Sequence, residues 1–202
     1  MSLPRLILGS GSPQRQRLLA EAGYEFVVIA PGAAAECGIC STGGPAALVA
    51  DLALRKAADV AGRMAPREVG KPVASLIIAC DTVAECGGAV LGKPADEEHA
   101  RAMLRQLSGQ MHRVYSGLCL WPHQIEQPAR PIETRIAVTE LRMDRLSEAD
   151  LEEYLASGLW RGKAGAFGYQ DRVGWLHILA GSEANVIGLP IELLEEMLAP
   201  WA

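Results

Sequence analysis

The sequence predicts a mixed α/β protein built as a single domain over residues 1–202. Three observations predict it. Short apolar β-type runs intermingle with amphipathic helical segments along the chain, which is the α/β pattern. Half of the 202 residues are hydrophobic and 21% are charged, enough apolar material for one sizeable core. Residues 112–143 then read as two long neighbouring strands joined by the Pro-rich "WPHQIEQPARP". That is a hairpin pattern, and it makes the sheet mixed rather than purely parallel.

The elements follow in order. "RLILG" (5–9) is the first strand candidate. "GSGSPQRQRLL" comes next, with Ser12 as N-cap and Pro13 as the first residue of a helix over 13–22. Its first turn carries Arg15 and Arg17 and no acid, although the positive end of the helix dipole disfavours cations there. A strand over 24–30 leads into a Gly/Pro-rich loop at 31–45, a helix over 45–62 and a second loop at 62–72. "SLIIAC" (75–80) is a buried-looking strand that ends in Asp81-Thr82, with a turn at Gly87-Gly88. Asp96 caps a helix over 97–107 whose Ala100, Met103, Leu104 and Leu107 share one face. Strands over 112–121 and 132–143 precede a helix over 147–156, opened by Ser147 with Asp150 three residues on. A strand over 174–179 and a helix over 189–198 close the chain.

The bulk properties exclude several function classes. A net charge of −5 and a pI near 5.4 argue against broad nucleic-acid or anionic-membrane binding. A small anionic substrate needs only a local cationic pocket and is not excluded. "MSLPRLILGSGS" has too short an apolar stretch for a signal peptide, and no run approaches the about 18 apolar residues of a membrane helix. The expected compartment is the cytoplasm. There the five cysteines, Cys37, Cys40, Cys80, Cys86 and Cys119, are expected to be thiols. "CGIC" is a C-x2-C pair, but the nearest second pair, Cys80 and Cys86, lacks finger spacing, so ordinary loop cysteines are favoured over a structural zinc.

Four stretches could carry chemistry. Gly9-Ser10-Gly11 begins like a dinucleotide fingerprint but has Gln14 where the third glycine belongs. Small residues before a helix N-terminus, with Arg15 in the first turn, suit an anion; a Ser-capped helix with two solvent-facing arginines is the plainer reading. Asp81 at a strand end can hold Mg²⁺ or act on water, and Lys93 in "GKP" lies twelve residues on. Lys56 in "ALRKAADV" reads as a solvated helix residue. "KAGAFGYQD" (163–171) surrounds Lys163 with small residues and continues to Gln170, a loop whose backbone and amide groups can approach a flat ligand. The four histidines fall in no metal-ligand spacing, and no nucleophile elbow is present, which disfavours a covalent mechanism.

Taken together, "LGSGSPQRQRLL", "LALRKA", "ACDTV", "LGKPADEEHARAMLRQLSG", "SGLWRGKAGAFGYQ" and "NVIGLP" resemble, in order, the motifs of the Maf family of nucleoside triphosphate pyrophosphatases, once described as septum formation inhibitors. The resemblance implies an elongated α/β/α domain with a deep central cleft, similar to the inosine triphosphatase fold. It implies hydrolysis of a nucleoside triphosphate to monophosphate and pyrophosphate with a divalent cation, Mg²⁺ or Mn²⁺. Asp81 matches the family's proton acceptor, and Ser10, Ser12, Arg15, Lys56 and Lys93 match its phosphate-binding and catalytic polar groups. Gln14, Thr82 and Gln170 fall where the family's branches differ. "DT" with "KAGAFGYQ" is similar to the dTTP/UTP branch, whereas the 7-methyl-GTP branch usually has Gln after the Asp. In this scheme Lys163 belongs with Gln170 to the base-reading loop.

Two departures stand out. The usual "SPRR" is "SPQR", so Gln14 replaces an arginine at a specificity position. The family also has a glutamate soon after its second strand; here "PGAAAECG" aligns Ala35 with it, and Glu36 follows one residue later. Either Glu36 serves as the second catalytic and metal-site carboxylate, or that carboxylate is missing. Three readings follow: a dTTP/UTP pyrophosphatase, the same reaction on 7-methyl-GTP or another base, and a low-turnover nucleotide-binding regulator of cell division. A homodimer is compatible with each, and direct nucleic-acid or membrane partners are not expected.

Overall fold

A computed structural model describes residues 3–36, 43–64, 74–124, 132–171 and 174–202. The first strand, β1 (Arg5–Leu8), passes through Gly9–Ser12 into helix α1 (Pro13–Glu21) and returns as β2 (Phe26–Val28). Ser12 caps α1 and Pro13 opens it, as the sequence indicates. After a short 3-10 turn at Ala33–Glu36 comes the long helix α2 (Gly44–Arg63), then strand β3 (Ser75–Cys86). Strand β4 (Ala89–Leu91) and helix α3 (Glu97–Leu107) follow, then the long strands β5 (Met111–His123) and β6 (Glu133–Met143). The chain ends with helix α4 (Glu148–Ser157), strand β7 (Leu176–Ala180) and helices α5 (Glu183–Ile187) and α6 (Ile191–Leu198). Cys37, Cys40 and most of the loop expected at 62–72 lie outside the described residues, as does most of the connection between β5 and β6.

The seven strands form one sheet in the order β2-β1-β3-β5-β6-β7, with β4 paired to β3. β1 is parallel to both β2 and β3, whereas β3–β4 and β6–β7 are antiparallel, so the sheet is mixed as expected. By internal contacts the chain forms two compact units. One comprises Met1–Asp81, Ser116–Ala137 and Gly188–Ala202, the other Thr82–Tyr115 and Val138–Ile187. β3, β5 and β6 each run from one unit into the other.

Three elements correct the sequence reading. β3 does not stop at Cys80; it runs on to Cys86, which places Asp81 in mid-strand. The cause is the turn that follows. Gly87 and Gly88 have φ of +60° and +86°, the left-handed pair that a two-residue hairpin needs, and Cys86 pairs with Ala89 across it. β4 and α5 are the other two, absent from the sequence reading; with three and five residues, both are too short for a periodic signature.

In the first unit, α2 lays Ala53, Ala57, Val60 and Ala61 against Ile7, Ile77, Ala79 and Cys119 of the strands. The approach is close at Gly117, where a Cβ would stand 2.2 Å from the Val49 carbonyl oxygen. In the second unit, the apolar face of α3 (Ala100, Met103, Leu104, Leu107) packs with Leu141, Met143, Leu151, Leu155 and Trp160. α3 is capped by Asp96, and α4 by a full Ser147–Asp150 capping box. Cys80, Cys86 and Cys119 are buried thiols, and burial pushes those of Cys86 and Cys119 up.

Two predictions follow from the packing. Gly117→Ala forces a methyl into the α2 backbone and should cost ~3 kcal/mol, read as a fall in the urea midpoint. His112 is buried with its Nδ1 lacking a hydrogen-bond partner, and burial pushes its imidazole down from about 6.5. The folded chain refuses a proton that the unfolded chain accepts below about pH 6.5, so stability is lost as pH falls through that window. Urea midpoints at pH 7.5 and 5.5 should differ less in His112→Met, by up to ~1.4 kcal/mol per pH unit in stability.

Candidate active site

The parallel pairing of β1 and β3 ends at Leu8 opposite Ile78, and the Gly9 N–H adds one more rung to the Ile78 carbonyl. Past that point both chains carry polar groups: Ser10 and Ser12 on one, Asp81 on the other. Ligand-binding groups of α/β proteins gather beyond the carboxyl ends of parallel strands. Asp81 therefore lies just past the paired ends of β1 and β3, even though its own strand continues.

Lys56 lies on the buried face of α2 and is only 5% exposed, which overturns its reading as a solvated helix residue. Its Nζ sits 2.6 Å from Asp81 Oδ1, and both side chains are largely enclosed. A buried ammonium needs a counter-charge, and Asp81 supplies it.

The N-terminus of α1 is equally ordered. The Ser12 hydroxyl donates to Gln14 Oε1 at 3.0 Å and lies 3.5 Å from the Arg15 N–H that it accepts. An arginine at position 14 would have no acceptor to offer that hydroxyl, so Gln14 ties the cap in a way an arginine could not. Ser10 is 4% exposed; its Oγ accepts from the Ser12 N–H and from Arg15 Nη1. Arg15 Nε donates to the Gly188 carbonyl at 2.8 Å, and the buried Cys80 thiol donates to the same oxygen. Gly188, inside the "NVIGLP" motif, has a φ of +130° that suits glycine. Arg17 is exposed and pairs with Glu21 one turn on, which is a surface role. Ala35 is buried, and Glu36 ends the 3-10 turn; its side chain is outside the described residues.

The second unit holds Thr82, Lys93, Lys163 and Gln170. Thr82 is half-buried in β3, and Lys93 is exposed two residues past β4. The side chain of Gln170 is outside the described residues; its backbone lies in the 3-10 turn Tyr169–Asp171. Lys163 is not a free loop cation. It forms an ion pair with Asp171, whose side chain is 5% exposed. Tyr154 Oη, from α4, donates to the other Asp171 oxygen at 2.6 Å. Burial, then Asp171, pushes the Tyr154 hydroxyl far up, so it stays a donor. Phe167 and Trp175 stack with Tyr154 at centroid distances of 5.1–5.6 Å. Asp171, Tyr154 and the Gly188 carbonyl escaped sequence reasoning. The acid that closes "KAGAFGYQD" was the visible signal for Asp171; nothing local marks the other two.

Among the described residues no three His, Cys, Asp or Glu side chains cluster to hold a metal ion. The donor set still fits a hard cation that arrives on a phosphate, since Mg²⁺ is commonly held through one or two carboxylates plus substrate oxygens. Asp81 is a carboxylate of that kind.

Lys56→Met leaves Asp81 without this buried partner and should cost roughly 2–3 kcal/mol in chemical denaturation. The double change Lys56→Met with Asp81→Leu should recover most of that loss, because a pair exchanged for apolar groups leaves no charge stranded.

The family model for Maf-like proteins matches residues 5–201. A dTTP/UTP pyrophosphatase of Rhodopirellula baltica is 48% identical over 96% of this chain and 80% of its own length. Proteins of the same name from Rhizobium meliloti and Thermococcus kodakarensis are 40% and 36% identical, over 93% and 94% of this chain and 87% and 93% of theirs. On that coverage and those identities, the chain belongs to the Maf family.

Proposed function

We propose that this chain is a nucleoside triphosphate pyrophosphatase that splits dTTP, UTP or a related nucleotide into the monophosphate and pyrophosphate. One observation carries the reading: a buried Lys56–Asp81 pair just past the paired ends of β1 and β3, in a chain whose relatives are named for that reaction. Water attacks the α-phosphorus, the bond to the bridging oxygen breaks, and pyrophosphate leaves. Asp81 orients the water and takes its proton. Lys56, Lys93 and Arg15 neutralise the triphosphate, with Ser10 and Ser12 as further phosphate contacts. Asp81, with Glu36 as the second carboxylate, would hold a divalent cation, Mg²⁺ or Mn²⁺, which when bound polarises a phosphate oxygen. Gln170, Lys163 and the backbone of 163–169 form the base-reading segment, with Thr82 and Gln14 as further specificity positions.

Gln14 favours a second reading, the same reaction on another base such as 7-methyl-GTP, because it departs from the arginine usual at that position. The proposed place of work is the cytoplasm, and the acidic balance agrees with a small substrate rather than nucleic acid.

The test is pyrophosphate release from a panel of dTTP, UTP, dGTP and 7-methyl-GTP with Mg²⁺ or Mn²⁺. Asp81→Asn should lose about 100-fold or more in kcat on the best substrate. Full activity in that variant sinks the mechanism. Gln14→Arg should move the order of preference within the panel and leave kcat on the best substrate within about threefold. Nucleotide binding without any turnover would turn the reading toward a binding regulator.

A further inference from the structure

The segment assigned above to base reading is held by a carboxylate that no part of that assignment uses. Asp171 closes it in three directions. One oxygen pairs with Lys163 at the start of the segment; the other accepts from Tyr154 Oη on α4 and from the Gly168 N–H at 3.3 Å. The Asp171 N–H in turn donates to the Gly168 carbonyl at 3.0 Å. Gly168 and Asp171 are thus tied twice, through main chain and side chain, and Gln170 sits inside the loop they close. The segment also carries backbone strain. Gly165 and Ala166 both have left-handed φ, +68° and +60°, and Ala166 is fully buried. Strain in a non-glycine residue persists only where the surroundings over-determine it, and it concentrates at functional segments.

We propose that Asp171 is the positioning residue for base selection: it fixes the Lys163–Gln170 segment in one conformation and neutralises Lys163, so that the segment discriminates bases through its fixed polar groups and not through a mobile cation. The inference rests on the pyrophosphatase reading for its ligand, a nucleoside triphosphate. Loss of Asp171 releases a lysine ammonium and loosens the turn bearing Gln170. A released ammonium is attracted to any triphosphate whatever its base, while a loosened turn no longer rejects the wrong one. Discrimination falls while the hydrolytic groups at Asp81 are untouched.

The experiment compares wild type, Asp171→Asn, Asp171→Asn with Lys163→Met, and Tyr154→Phe. For each, dissociation constants are measured for non-hydrolysable α,β-methylene analogues of dTTP, UTP and dGTP, alongside steady-state hydrolysis of the natural nucleotides. Asp171→Asn should raise KM for the preferred nucleotide about tenfold, hold kcat within about threefold and narrow the ratio of best to worst dissociation constant about tenfold. The added Lys163→Met should restore part of that ratio, because it removes the stranded charge; a merely structural role predicts a further loss. Tyr154→Phe deletes one of the donors and should narrow the ratio about threefold. If Asp171→Asn does not fold, Tyr154→Phe decides. An unchanged ratio in the folded variants overturns the proposal. A wild type that binds the analogues but hydrolyses nothing overturns the reaction alone, and one that binds none of them overturns both.

Discussion

An ammonium group cannot leave water without a counter-charge, and α2 takes one out of water. Its inward face is Val49, Leu52, Ala53, Ala57, Val60 and Ala61, with Lys56 as the single charged member. The helix can pack that face only if something receives the ammonium, and Asp81 does so at 2.6 Å. The other side of the contact is as constrained. Gly117 has no side chain, so the backbone at Val49 rests almost on β5. The small residues of the helix face, the glycine on the strand and the Lys–Asp pair are one solution to one problem: bring a helix close to a sheet while burying a charge. An ion pair of this sort is poor value as a source of stability, because desolvation offsets most of its attraction. Under the proposed function, its use lies in what two opposite charges just past the paired ends of β1 and β3 can do to a phosphate.

The opening helix shows how a local rule and a tertiary contact trade places. Arg15 in a first turn opposes the helix dipole. The structure answers part of that objection without any ligand: the guanidinium donates to Gly188, brought from the far end of the sequence, and to Ser10. Arg15 thereby tethers the "NVIGLP" turn to the start of α1. Arg17, by contrast, is exposed and pairs with Glu21 on its own helix.

Much of the fold was legible because its signals are local. Caps at Ser12, Asp96 and Ser147 each mark a helix start and each form the expected bond. The face of α3 reads directly from a 3.6-residue period. Legibility failed where the deciding partner is remote. Lys56 looks like any surface lysine until β3 delivers Asp81 against it. The end of β3 was misplaced because Asp81-Thr82 resembles a strand terminus, whereas the stop signal is the Gly87-Gly88 turn six residues on. Lys163, read with Gln170 as part of the base-reading loop, pairs with Asp171, an acid that the sequence reading leaves without a role. Gly188 could not have been linked to Arg15 from sequence, with 173 residues between them.

Lys56–Asp81 and Lys163–Asp171 are two enclosed Lys–Asp pairs, one in each unit, and their surroundings set them apart. Asp81 is the more exposed of the two carboxylates, 15% against 5%, and the half-buried Thr82 follows it in the strand. Asp171 accepts from Tyr154, which stacks with Phe167 and Trp175, and has three donors in all. A carboxylate with that many donors has little capacity left for a metal ion or a reacting water. Under the proposed function the difference amounts to a division of labour: Asp81 keeps the access that chemistry requires, while Asp171 gives up access for rigidity. Selectivity between bases that differ by a few polar atoms depends on rigid, correctly placed partners more than on charge. A saturated, inward-facing acid serves that need, and it would serve catalysis poorly.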